Sequence, residues 1–160
     1  ISSLALLNRS DYFCLIAGDG PEREKLEAMT VSLGLEERVR FLGVCSDMLA
    51  LLQQVDFLVL PSRYEGLPLI VLEAMAVGCP IVATNVDGTA EVLRHEVSAL
   101  LVPPEDTSAL TEAIRRLLED AELGHRLADQ AQRDVQMYSA QRVAEQLIAI
   151  YDEVLREYGG

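Results

Sequence analysis

Two kinds of segment alternate along the chain. Short, nearly continuous apolar runs recur at Tyr12-Phe-Cys-Leu-Ile-Ala17, Val39-Arg-Phe-Leu-Gly43, Asp56-Phe-Leu-Val-Leu60, Pro80-Ile-Val-Ala-Thr-Asn85 and Ala99-Leu-Leu-Val102. Runs of this length read as strands of the buried type. Between them, apolar residues fall at helical spacing. Leu4, Ala5 and Leu7 mark residues 1–8 as the tail of a helix. A charged amphipathic helix is predicted over 22–33, with Leu26, Met29 and Leu33 inside and Gly34 as its stop. Ser46 or Asp47 caps a further helix through Gln53. A helix apolar on every side is predicted over 67–77 and ends at Gly78. Pro68 suits its first turn, where the fixed φ helps and the missing N–H costs nothing. After Asp87-Gly88 a short helix is expected over 89–94. The chain then turns helical, over Thr107–Glu119, 121 to about 137, and Ala140–Tyr158.

Strict strand-helix alternation implies a parallel sheet with helices on both faces. The fold class is α/β, a Rossmann-like doubly wound sheet, in a single domain over 1–160 with C-terminal helices over 107–158. In such an order the glycine-rich turns fall at the carboxyl ends of the strands, which is the edge where open α/β sheets bind ligands.

Candidate chemistry gathers around one turn and helix. Glu73 stands among Leu69, Ile70, Val71, Leu72, Ala74, Met75, Ala76 and Val77. A carboxylate on a buried helix needs a partner, because an unpaired buried charge is costly or titrates away. No Lys or Arg lies one turn to either side, so the partner is a distant protein group or a ligand hydroxyl. The free N–H groups of Leu67, Leu69 and Ile70 make a ready anion site at the helix start. An anion at the start and hydroxyls farther in describe a nucleotide sugar, phosphate first and ribose deeper.

The stretch Pro61-Ser-Arg-Tyr-Glu65-Gly-Leu-Pro-Leu-Ile-Val-Leu-Glu73-Ala-Met-Ala-Val-Gly78 holds two glutamates separated by seven residues. It resembles the Glu-x7-Glu motif of retaining glycosyltransferases of the GT-B fold, family four (glycosyl transferases group 1) most of all. Leu101-Val-Pro-Pro, Leu110-x-x-Ala-Ile-x-x-Leu-Leu and a last helix with Leu147 and Tyr151 extend the likeness. The resemblance implies the C-terminal, donor-binding half of a two-domain enzyme, with a nucleotide diphosphate sugar as donor substrate and no other cofactor or metal. It places Glu73 on the ribose hydroxyls and Ser62, Gly66, Leu67 and Leu69 at the donor site. It also places Glu65 at the sugar or reaction centre; nucleophile, electrostatic stabiliser and positioning group all stay open for it. Gly18 and Gly20, in the turn Gly18-Asp19-Gly20-Pro21, border the donor or serve geometry alone. The backbone at Phe41 and Leu42 would hold the base. Asp87-Gly88-Thr89-Ala90-Glu91 is similar to the family's Gly-Gly-x-Pro-Glu turn, with Asp87 and Ala90 substituted. Its simplest reading is a helix cap at Thr89, with Glu91 in the first turn.

The resemblance also implies missing pieces. The family's donor half opens with a strand, then an Arg and a Lys on the diphosphate, and this sequence starts after them. In the family order 3-2-1-4-5-6 the strands over 12–17 and 56–60 would flank a gap. They pair directly, another segment fills the place, or the domain is marginally stable. The acceptor-binding N-terminal half is an expected partner. The chain alone is expected to transfer no sugar and to bind donor weakly. The alternatives are another GT-B enzyme, such as a glycogen-synthase-like transferase or a sugar-nucleotide epimerase, and a non-catalytic Rossmann-like module.

Composition narrows this further. Half of the 160 residues are apolar and the net charge is −13, which argues against a nucleic-acid surface or an anionic-membrane patch on this domain. Trp is absent, so no Trp platform exists for stacking. Cys14, Cys45 and Cys79 lack metal or disulfide spacing and read as small buried thiols in a reducing compartment. No run is long enough to span a bilayer and no signal peptide is visible, so a cytoplasmic site is expected. His95 and His125 read as surface residues. No Asp-x-Asp is present.

Overall fold

The computed structural model describes residues 1–158, with side chains to residue 156. The elements run α1 (Ser2–Leu6), β1 (Cys14–Ala17), α2 (Arg23–Ser32), β2 (Val39–Gly43), α3 (Met48–Leu52), β3 (Leu58–Leu60) and α4 (Leu69–Val77). They continue with β4 (Ile81–Thr84), α5 (Asp87–Val92), β5 (Leu100–Val102), α6 (Thr107–Glu119), α7 (Ala121–Asp134), a 3-10 turn (Val135–Tyr138) and α8 (Ala140–Tyr158). The alternation read from the sequence holds throughout. The expected helix to about residue 137 instead tightens into 3-10 geometry after Asp134.

Among the described residues every strand pairs parallel to its neighbour, with one isolated antiparallel bridge between Gly18 and Gly43, but the expected single sheet is two. β1 pairs with β2, and β3, β4 and β5 form a second sheet in that order. Among the described residues β1 and β3 do not pair, so direct closure of the gap does not occur. Each keeps one edge without a ladder partner. Next to and within β1, Phe13 and Leu15 stay exposed.

β4 sits between two apolar clusters, and its four residues are all buried. Ile81 and Ala83 join Val71, Ala74 and Met75 of α4, with Leu52 and Ala131. Val82 points the other way, to Leu100, Ala113, Leu117, Leu123 and Leu127. That is the period of two of a strand covered on both faces. The β1–β2 unit is tied on through α1. Ser3 Oγ donates to the Thr107 carbonyl at 3.3 Å, and Thr111 Oγ1, whose nearer acceptor is the Thr107 carbonyl at 2.8 Å, lies 3.2 Å from the Ser3 carbonyl. Arg9 bridges Asp11 and Glu119.

Aspartates start three helices. Asp47, Asp106 and Asp120 accept the N–H groups of Ala50, Ala109 and Leu123 at 3.0, 2.8 and 2.9 Å. Asp47, rather than Ser46, is therefore the cap of α3. α8 rests against the 3-10 turn and leaves Leu147, Ile148, Tyr151 and Leu155 exposed. Among the described residues no helix is long and apolar enough to cross a membrane.

The loop between α5 and β5 is pinned by charge. Both guanidinium nitrogens of Arg116 reach Glu96, at 2.5 and 3.0 Å, and Arg126 Nη1 donates to the Glu96 carbonyl. The Arg116 hydrogen bond holds the Glu96 carboxyl below the usual glutamate range. His95 is exposed, as expected, yet its Nδ1 accepts the Leu101 N–H at 3.0 Å.

Two outcomes follow from this packing. Ile81→Ala should cost about 2–5 kcal/mol in urea unfolding, since its site is fully enclosed. Glu96 has a folded pKa below its unfolded one, so its contribution is complete above the usual glutamate range and is lost as pH falls through the folded value. With side chains roughly two-fifths exposed, the pair is worth on the order of 1 kcal/mol or less. Glu96→Gln should lower Tm at neutral pH and converge with the parent as pH falls through the folded value of Glu96.

Candidate functional site

The turn after β3 is built from hydrogen bonds between residues distant in sequence. Ser62 Oγ donates to Glu65 Oε1 at 2.6 Å. Thr84, at the end of β4, donates its hydroxyl to the Ser62 carbonyl at 2.5 Å. The Glu65 carbonyl accepts the Gly88 N–H at 3.3 Å. Glu65 is half-buried and Gly66 exposed. Arg63 is mostly exposed and pairs with Glu105 at 3.0 Å, so it does not balance Glu65.

α4 begins at Leu69, two residues later than its predicted start. Pro68 is the residue before the helix, with an extended backbone at ψ 106°, because its ring and fixed φ set the entry rather than the first turn. Leu67 therefore lies outside the helix, and the uncapped N–H groups at its start are those of Leu69 and Ile70. No side chain caps this end. The helix stops at Gly78, whose left-handed φ of 72° accommodates the turn.

The all-apolar helix is not buried on all sides. Val71, Ala74 and Met75 are buried, whereas Leu69 and Ala76 are exposed and Leu72 and Glu73 half-buried. Leu69, Leu72, Glu73 and Ala76 share one open stripe. Glu73 is half-buried and thus keeps access to solvent. Its carboxylate is open to a ligand.

The other half of the site lies at the ends of β1 and β2. Gly18 takes a φ of 119° and donates its N–H to the Gly43 carbonyl at 2.7 Å. Gly20 N–H bonds to Asp19 Oδ1 at 2.8 Å. Gly18 and Gly20 are exposed, Phe41 is half-buried and Leu42 exposed. Arg23, not singled out in the sequence, sits over the Phe41 ring at 5.9 Å and pairs with Glu27 and, more loosely, Asp19.

The structure therefore forms two groups: Gly18, Gly20, Phe41 and Leu42 at the ends of one sheet, and Ser62, Glu65, Gly66, Leu67, Leu69 and Glu73 beyond the other. Both groups lie toward the carboxyl ends of parallel strands, Gly18, Phe41 and Leu42 at β1 and β2 and the others after β3, and this edge is the candidate rim. Two concavities lie elsewhere, one of about 510 Å³ beside Arg116, Asp120 and Arg126, another of about 360 Å³ beside Arg9 and Arg38. Sequence reasoning missed Thr84 and misplaced Thr89. Thr89 is the third residue of α5, and its Oγ1 accepts the Val86 N–H at 3.1 Å; the cap position is Val86. The available signal was a lone Thr closing an otherwise apolar strand. Among the described residues no group of three His, Cys, Asp or Glu comes together as a metal site.

This layout has known counterparts. The chain matches the family described as Glycosyl transferases group 1 over residues 1–134, and it belongs to that family. It is 36% identical over 159 residues to an alpha-D-kanosaminyltransferase of Streptomyces kanamyceticus, covering 96% of this chain and 41% of that protein. Sucrose-phosphate synthase from Thermosynechococcus elongatus superposes with a TM-score of 0.84 at 30% identity, covering 98% of this chain and 42% of that one. Anabaena HepE, crystallised with UDP and glucose, superposes with a TM-score of 0.83 at 28% identity, covering 92% and 44%. The fold is that of the C-terminal Rossmann-like domain of GT-B glycosyltransferases. The chain spans about two fifths of the length of such relatives.

Thr84→Val should leave the Ser62 carbonyl without its donor and cost about 1–3 kcal/mol, read by urea denaturation.

Proposed function

We propose that this chain is the donor-binding domain of a metal-independent, retaining glycosyltransferase of family four that moves a sugar from a nucleotide diphosphate sugar to an acceptor. The observation that carries the reading is α4. Its uncapped N-terminus offers two free N–H groups at the end of β3, and Glu73 stands one turn farther on with no basic residue a turn away. Helix N-termini attract anions through those N–H groups and the helix dipole. The diphosphate then lies at Gly66–Leu69 and the ribose hydroxyls donate to Glu73. Glu65, held by Ser62, faces the transferred sugar. Phe41 and Leu42 border the base, with Gly18 and Gly20 across the rim. HepE, with UDP and glucose bound on the same fold, supports this assignment.

The domain supplies hydroxyl acceptors and main-chain donors but few free cations near the rim, since Arg23 and Arg63 are paired. Charge-assisted phosphate contacts are the strong ones. The chain by itself should therefore bind donor weakly, and it should catalyse no transfer without an acceptor-binding domain. The reducing-compartment reading of its thiols places the enzyme in the cytoplasm. Burial raises the Cys79 thiol to about 11, which fits an inert, unbridged role.

The test is calorimetric titration of the full-length protein with UDP, GDP and ADP sugars, beside Glu73→Ala. Loss of hydrogen bonds to a charged acceptor, worth about 1.5–3 kcal/mol, predicts roughly 10- to 100-fold weaker binding in the variant. A Glu73→Ala protein with parental affinity would remove the ribose role. Detectable sugar transfer by the 160-residue chain alone would contradict its dependence on a second domain.

A further inference from the structure

The first turn of α5 presses on the backbone of the Glu65–Gly66 turn. Gly88 is buried there, and its N–H meets the Glu65 carbonyl at 3.3 Å. A Cβ on Gly88 would lie 1.3 Å from the Gly66 carbonyl oxygen, 2.4 Å from its carbon and 2.9 Å from the Glu65 oxygen. Gly88 is not among the positive-φ glycines, so space rather than conformation demands glycine. Ordinary contact begins at 3.4 Å, so an added methyl forces a relative shift of about 2 Å. The obstructing atoms are main chain and cannot rotate away.

Thr89 fixes the same turn from behind. It is fully buried; its Oγ1 accepts the Val86 N–H at 3.1 Å and lies 2.5 Å from the Thr84 carbonyl, the nearer of two acceptors for its single proton. Thr84 in turn donates to the Ser62 carbonyl, and Ser62 to the Glu65 carboxylate. Main chain and carboxylate of Glu65 are thus both referred back to α5, one through Gly88 and the other through a chain of hydroxyls.

We propose that Gly88 and Thr89 are positioning residues for the Glu65–Gly66 turn, setting where Glu65 and the start of α4 stand relative to a bound nucleotide diphosphate. Neither touches the ligand; each acts through the turn. This rests on the donor-site reading above. A misplacement of about 1 Å in such a constellation costs on the order of 100-fold in rate, so a forced shift of this size is felt in binding and in chemistry.

The experiment uses the full-length protein with Gly88→Ala, Thr89→Val and Thr89→Ser. UDP is the probe for calorimetry, and amide hydrogen exchange is followed peptide by peptide. Gly88→Ala is expected to stay folded, bind UDP about tenfold or more weakly, and exchange faster in peptides covering 62–70 while the rest is unchanged. Thr89→Val, which keeps the shape and loses the hydroxyl, should behave likewise. Thr89→Ser, which restores the hydroxyl, should return to within about twofold of the parent. If Gly88→Ala fails to fold, the Thr89 pair decides. Parental exchange at 62–70 in folded Gly88→Ala overturns the proposal, as does Thr89→Val matching Thr89→Ser. Global unfolding of both Gly88→Ala and Thr89→Val also counts against it, because positioning requires a folded domain with a displaced turn. If the parent does not bind UDP, then GDP and ADP replace it as probes. A parent that binds none of the three refutes the donor-site reading instead, and the exchange pattern still judges the positioning role.

Discussion

β4 belongs to both apolar clusters, and that double burial fixes the rest. Ile81 and Ala83 lie against α4 while Val82 lies against the helices on the other side. A strand sealed on both faces has one register, because a slip of one residue exchanges every side chain between faces. β4 also pairs with a strand on each side, β3 and β5. Its carboxyl end is therefore placed rigidly, and that end is Thr84. The hydroxyl that anchors the Ser62 carbonyl is thus an extension of the core. Core packing and site geometry are one constraint expressed at two ends of a four-residue strand.

Around that end, close approach of main chain does much of what side chains do elsewhere. Gly88 lets α5 lie against Gly66, Gly18 and Gly43 join the ends of β1 and β2, and the start of α4 carries no side-chain cap. Main-chain groups held by buried elements have little freedom left to lose when a ligand arrives. At Gly88 the same feature leaves no room for an added methyl group. The glutamates are treated differently. Glu65 is held by a short hydrogen bond, whereas Glu73 is half-buried on a stripe of α4 whose ends, Leu69 and Ala76, are exposed.

The order and type of nearly every element could be read from the chain, since each apolar run is short and bounded by Gly, Pro or a capping Asp. Gly78 and the cap at Asp47 obey local rules, and local rules are visible in local sequence. The two-sheet arrangement was not visible, because whether β1 and β3 pair depends on what stands between them. The open stripe of α4 was hidden for a related reason. Apolar residues on every side of a helix show what can be buried, and only the neighbours decide what is. Thr89 shows a third limit: its spacing suggested a cap, but Val86 holds that position and the threonine hydroxyl reaches back from one turn inside. Glu65, Gly66 and Glu73 were legible as residues, while the contacts that hold the turn come from more than twenty positions away, at Thr84 and Gly88.

Charge sets the remaining terms. The chain carries a net charge of −13; Asp19 and Glu65 follow β1 and β3, Asp87 starts α5 and Glu73 lies on α4. Uniform negative potential repels a diphosphate, so any attraction must be local and geometric. Arg23 and Arg63 are occupied by Glu27 and Glu105, which leaves the main-chain donors of Leu69 and Ile70 and the dipole behind them. A helix terminus acts over about one turn and is little affected by distant charge. At the proposed donor site, ligands would then be distinguished by where their anion and hydroxyls fall along α4 more than by their total charge. The position of the turn entering α4, held from Thr84 and α5, would set that selectivity.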